Sequence, residues 1–175
     1  MLIDSGLIPA KHLYTLRKGE LVNDSIKGCL LPLESEMIKT KGRNRAWTCV
    51  FFDKTGPACR IYEHRPLECR ILKCWDTRDI EAAYSQNRLM RKDLLSGIPA
   101  LWSLIEDHDQ RCSHVTVRKL LDSKSGGAAA IKAFQEMVEY DRSIRVLVVE
   151  KAGVEADMLD FIFGRPLSEA IRGGF

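Results

Sequence analysis

Four cysteines crowd residues 49–74, and no other feature restricts the fold as tightly. The stretch reads C-V-F-F-D-K-T-G-P-A-C-R-I-Y-E-H-R-P-L-E-C-R-I-L-K-C, with nine, nine and four residues between successive thiols. Four thiolates around a soft cation or an iron–sulfur cluster must meet at tetrahedral corners, with sulfur about 2.3 Å from zinc. The chain therefore has to reverse between them. Thr55-Gly56-Pro57 offers one reversal, and Arg65-Pro66 forbids a continuous helix from Cys59 to Cys69. Cys69 and Cys74 would stand about 140° apart on a regular helix, so both can ligate only if the backbone bends between them. Arg60, Arg65, Arg70 and Lys73 make the surroundings cationic. Such charges are expected to lower thiol pKa values and to balance a thiolate-rich site, with Arg60 and Arg70 standing behind the sulfurs.

We read Cys49, Cys59, Cys69 and Cys74 as ligands of a metal ion, zinc or iron, or of an iron–sulfur cluster. Two disulfides or four inert thiols are the alternatives that spacing leaves open, because free cysteine also packs as a small hydrophobe. The spacing is not that of a zinc ribbon or a two-cysteine, two-histidine finger, which use short C-x-x-C knuckles. Trp47, Phe51 and Phe52 flank Cys49 and would wall the site from water.

The run Cys59-Arg60-Ile61-Tyr62-Glu63-His64-Arg65-Pro66-Leu67-Glu68-Cys69-Arg70, followed by Cys74, resembles the signature of the YkgJ-type cysteine-cluster family, C-x-I-Y-x-x-R-P-x-x-C-R-x-x-x-C. Cys49 with Phe51-Phe52-Asp53 fits the segment that precedes that signature, so the resemblance covers about residues 47–75. It implies chelation of zinc or iron. One relative, flagellin lysine N-methylase, extends the family towards iron–sulfur-dependent protein methylation, which makes an enzyme or accessory protein acting on a macromolecule the alternative function. Members usually carry a further run, C-x-x-C-G-x-C-C, near the N-terminus, and this chain has no counterpart to it. Two readings stay open: the start lies upstream, or the four downstream thiols suffice.

Outside this stretch the chain is ordinary. Its 175 residues, 45% hydrophobic and 29% charged, suffice for one domain over 1–175 with its own core. A net charge of +3, from 27 basic and 24 acidic residues without blocks of one sign, argues against nucleic acid. The basic segment 41–45 reads as a solvated turn. With no signal-peptide layout, no membrane-length apolar run and too few cysteines for a disulfide scaffold, a reducing cytoplasmic setting is expected.

The expected fold is α+β. A small antiparallel sheet from 13–22, 29–33 and 36–39 would carry the cysteine loop through residue 75, with turns at Asn23-Asp24 and Lys27-Gly28. Cys29, beside Leu30-Leu31, is expected in the core. Residues 76–175 read as four or five helices. The first runs from Asp76 or Thr77 to about 95. The next has Pro99 in its first turn and a stripe through Ile98, Leu101, Trp102, Ile105 and Cys112. A short helix capped by Ser113 follows, then a flexible joint at 123–127. The longest helix spans 128–151, with Phe134, Met137, Tyr140, Ile144 and Leu147 facing inward and extra apolar width at 146–149 expected to be buried in the bundle, an interface for another chain being the alternative. A last short helix covers 155–163, and a loose tail ends the chain.

His108, Cys112 and His114 place three soft ligands within seven residues, and His108 and Cys112 share a helix face. Cys112 is the candidate fifth ligand, and packing in the stripe is its plainer role. His64 is expected to be exposed. No catalytic residue can be assigned, since no phosphate loop, nucleotide fingerprint or triad spacing occurs. A structural metal would leave the helical half as a surface for a protein partner. A reactive cluster would instead need a cleft near Cys112 or His108.

Overall fold

The computed structural model describes residues 3, 6–24, 27–43, 48–56, 58–73, 75–84, 86, 88–122 and 127–170. Among the described residues six short strands precede eight α-helices, an α+β arrangement. Strand β1 (Leu13–Leu16) pairs antiparallel with β4 (Met37–Thr40), and β2 (Leu21–Asp24) pairs with β3 (Cys29–Pro32). These are the two halves of one long hairpin, because Gly19 N donates to Leu33 O and Leu33 N to Glu20 O between them. The expected single strand over 13–22 is thus broken at 17–20. Glu20 turns back to accept the Arg17 amide at 2.9 Å, and Gly19 takes φ +80, where a side chain would collide with Val115. The hairpin tip uses Asp24, whose carboxylate accepts the Lys27 amide, and Gly28 at φ +65. Cys29 is exposed at this tip rather than buried, since among the described residues β3 pairs with β2 alone and its positions are mostly exposed.

The expected helix over 77–95 is two helices, α2 (Arg78–Ala83) and α3 (Arg91–Leu95). Arg91 is the reason for the restart. It is 1% exposed, and its guanidinium and amide hold Glu36 while Nη1 donates to Ile162 O at 2.6 Å. Helix α4 (Pro99–Arg111) starts at Pro99 as expected, and Ser113 Oγ accepts from Thr116 at the head of α5 (His114–Asp122). The joint at 123–126 lies outside the described residues. Helix α6 (Gly127–Ala152) has the expected length, and Gly153 at φ +65 ends it. Its buried positions are Asp141, Ile144, Arg145 and Val148, so Leu147 of the expected stripe is exposed. A 3-10 turn over Ala156–Met158 leads into α7 (Leu159–Ile162). The tail is not loose at its start. Helix α8 (Leu167–Ala170) docks with Leu167 fully buried, and residues 171–175 lie outside the described set.

Ile8, Leu13, Phe51, Ile105, Ile144, Val148, Phe161, Ile162 and Phe163 form the main core. Thr15 Oγ1 ties β1 to α7 by donating to Phe161 O at 2.7 Å. A smaller cluster gathers Cys112, Val117 and Leu167. Among the described residues no helix is long and apolar enough to cross a membrane.

Candidate metal centre

The cysteine loop leaves the hairpin directly from β4. Gly42 and Cys49 form an antiparallel bridge, with Arg43 N donating to Thr48 O and Val50 N to Lys41 O. Phe51, 5% exposed, anchors the loop in the main core, with its ring edge-on to His12. Beyond it β5 (Phe52–Asp53) folds back on β6 (Ala58–Cys59), with Phe52 opposite Cys59. Asp53 drives this reversal, because its carboxylate accepts the Thr55 amide and hydroxyl at 2.9 and 2.8 Å. Phe52 N also donates to Cys49 O, so the hairpin brings Cys49 and Cys59 to the same end of the loop. Pro57 and Trp47 lie outside the described residues. Of the three flanking aromatics, Phe51 is buried and Phe52 is exposed.

A 3-10 turn over Tyr62–His64 and the break at Arg65-Pro66 start α1 (Leu67–Ile71), which carries Cys69. His64 is exposed. The helix stops at Ile71 and Leu72 is extended, so the backbone does bend before residue 74. Cys74 itself lies outside the described residues. Cys49 and Cys59 are part-buried and Cys69 has an open face, and all three are free thiols.

The neighbouring thiols act on Cys69 through their charge, although among the described residues Cys49, Cys59 and Cys69 do not form a group tight enough to share one ion. The protein packed behind Cys69 pushes its pKa up, and the charges of Cys49, Glu68 and Cys59 push further, while Arg65 pulls it down. For this thiol, then, the cations do not win as the charge pattern alone suggests; enclosure and neighbouring thiols outweigh them. Arg65 is the cation that acts on Cys69, and it is fixed by donating Nε to Tyr62 O at 2.9 Å with its guanidinium 3.6 Å from the ring centre. Arg60 and Arg43 both hold Val50 O, through contacts of 2.7 to 3.2 Å, and so clamp the loop beside Cys49. Arg70 is exposed on α1. Three thiols on two reversals, with cations beside them, suit a soft metal held by sulfur.

His108, Cys112 and Asp141 form a second group. Their ligand atoms all lie within 4.8 Å of one another, and all three residues are buried. The H-x3-C half of this trio was legible in the sequence, whereas Asp141 comes from α6 and gave no signal. Every oxygen of Asp141 is in use: Oδ1 accepts from His108 Nε2 at 2.7 Å and Arg145 Nε at 3.0 Å, and Oδ2 accepts from Leu167 N at 2.9 Å. Those donors hold the Asp141 carboxyl down at about 2 despite burial. The Cys112 thiol is pushed up to about 12 by burial and by Asp141, and it points to Met137 O at 3.6 Å. A neutral thiol beside a saturated carboxylate makes this trio a packed polar knot. Cys112 belongs to the smaller hydrophobic cluster, and Cys49 and Cys59 pack against the main one.

No curated protein and no solved structure matches the chain. Residues 25–87 match the model of the CxxCxxCC family, described as a "putative zinc- or iron-chelating domain". The matched segment contains Cys29, Cys49, Cys59, Cys69 and Cys74 and lacks the tight double-knuckle run that gives the family its name. Over residues 25–87, then, the chain is similar to the zinc- or iron-chelating domain that this family model describes, and the match takes in the hairpin, the cysteine loop and α1.

Proposed function

We propose that the protein holds its metal through Cys49, Cys59, Cys69 and Cys74. The observation that carries this reading is the pair of chain reversals, the β5–β6 hairpin that sets Cys59 opposite Phe52 and the break at Arg65-Pro66 that starts α1, with the charges of Cys49 and Cys59 bearing on the Cys69 thiol. A bound zinc ion or iron–sulfur cluster would cross-link hairpin and helix, and iron would add electron transfer. The chain supplies the rest: Phe51 seats the loop, Asp53 sets the turn, and Arg65 and Arg60 place positive charge beside the thiolates. Because each ligand must lose a proton, affinity rises with pH.

The test is metal analysis with an absorption spectrum on protein purified without oxygen, for the native chain and for Cys69→Ser and Cys29→Ser. Cys69→Ser should lose or greatly loosen the metal. Cys29→Ser, at an exposed hairpin tip, should keep it. Equal loss from both would sink the ligand assignment. Iron with acid-labile sulfide and a band near ~400 nm would select a cluster, and one colourless zinc per chain would select a closed structural site.

With a closed site, the reading we favour is that the helical half meets a protein partner in the cytoplasm. Ile131, Val146 and Leu147 on α6, each about half exposed or more, support it.

A further inference from the structure

A pocket of about 560 Å³ lies apart from the cysteine loop, where the break at 17–20 meets α3, α4 and α5. Among the described residues, three buried side-chain nitrogens have no hydrogen-bond partner: Arg17 Nε, Arg17 Nη2 and His114 Nε2. Both residues line this pocket.

Arg17 is 3% exposed, and its position is fixed from several sides. Its amide is tied to Glu20, and its aliphatic stem lies so close to Gly164 that an added Cβ there would stand 2.9 Å from Arg17 Cγ. Among the described residues its guanidinium makes two hydrogen-bond contacts, both from Nη1 and both long: 3.5 Å to His108 Nδ1 and 3.5 Å to Asp109 Oδ1. Nε and Nη2 form the edge of the guanidinium that pairs side-on with two oxygens of a carboxylate or phosphate. In the other arginines buried to this degree that edge is filled. Arg91 spends Nε and Nη2 on Glu36, and Arg145 spends them on Asp141 and Gly164 O. Arg165 spends them on Glu20, which leaves that carboxylate committed although it lies 3.7 Å from His114 Nε2. Burying a guanidinium with its recognition edge empty is costly, and an anion seated there would remove the cost.

The rest of the pocket suits such a guest. Glu36 and Asp109 in its wall are already held by Arg91. At the rim the cations Lys18 and Lys92 outnumber the one carboxylate there, Glu34. The first turn of α5, a helix of nine residues, brings the backbone of His114 and Val115 to the same wall, and helix N-termini favour anions. Trp102, Met90 and Val115 provide apolar surface. We propose that this pocket binds a small organic anion whose carboxylate or phosphate head is drawn to Arg17 and His114 and, through a small shift of those side chains, meets the Nε–Nη2 edge and His114 Nε2 that are closed to solvent without it, with its body against Trp102.

Nitrogen-15 NMR of the full chain, reading the Arg17 Nε–H and the Trp102 indole N–H, tests this with sodium phosphate, sodium acetate and matched sodium chloride. The expected result is a saturable shift of both signals by phosphate or acetate, with Kd about 1 mM or tighter, and none with chloride. Response to phosphate alone assigns a phosphate head, and response to acetate alone a carboxylate. Arg17→Lys keeps the charge but loses the edge, and should weaken binding about tenfold or more. If that variant does not fold, the Arg17 signal of the native chain still decides. No saturable shift with either anion up to about 10 mM, or equal affinity in Arg17→Lys, would overturn the proposal.

Discussion

Replacing Asp141 with asparagine changes one atom at the centre of the buried polar knot, and its cost can be worked from the contacts. The carboxylate is 3% exposed and receives His108 Nε2, Arg145 Nε and Leu167 N at 2.7, 3.0 and 2.9 Å. Its pKa of about 2, against 3.8 for a free carboxyl, means that the donors outweigh the cost of burial and leave the ionised form a net gain of about 2 kcal/mol. Asparagine forfeits that charge and turns an NH2 group towards one of the donors, leaving a buried group unsatisfied at roughly 1–3 kcal/mol more. The sum, about 3–5 kcal/mol, matches the usual cost of removing one partner from a buried ion pair. It is a large part of the 5–15 kcal/mol that about covers a whole domain. Urea unfolding of both proteins at pH 7 reads it as a shift in midpoint at constant slope. The pH dependence gives a second check. A carboxylate with depressed pKa stabilises fully above its unfolded value and loses that contribution as pH falls. The gap between native and variant should therefore narrow below about pH 4. A loss under about 1 kcal/mol at pH 7, or a gap that does not narrow in acid, would refute the reasoning.

Two further outcomes are expected. His114 is held down to about 3 by burial and by Arg17 and Arg165, so the unfolded chain takes up its proton near 6.5 and the folded one does not. Stability should then fall as pH drops below about 6.5, by about 2 kcal/mol at pH 5, and His114→Gln should flatten this slope in the same urea assay. Gly164→Ala should cost roughly 1–3 kcal/mol more than Gly153→Ala. Both glycines have positive φ, but an added Cβ at 164 would meet Arg17 Cγ at 2.9 Å and Thr15 O at 3.0 Å, whereas at 153 it meets open space. Equal costs by thermal unfolding would show that the close approach of Arg17 to this turn is not required.

Where the amino-acid order determined the structure, the deciding forces act within a few residues. Asp53 with Thr55 sets the turn between Cys49 and Cys59, Pro66 stops one segment and starts α1, Pro99 starts α4, and the long run before Gly153 becomes α6. The chain reversals between the ligand candidates Cys49, Cys59 and Cys69 were legible for that reason, since turn chemistry alone sets them. What only tertiary structure decided depends on partners remote in the chain. Residues 77–95 carry an unbroken helical pattern, yet the chain restarts at Arg91 because Glu36, 55 residues away, and Ile162 O, 71 residues away, hold that guanidinium in the core. Cys29 has the neighbours of a core strand and is exposed because, among the described residues, its strand pairs with β2 alone. His108 and Cys112 announced a shared face, but whether that face meets a metal or a carboxylate rested on Asp141, 33 residues from His108 on another helix. Arg17 carried no signal at all. A charge is ordinarily solvated, and only the assembled walls of β1, α4 and α5 bury it with its recognition edge unfilled.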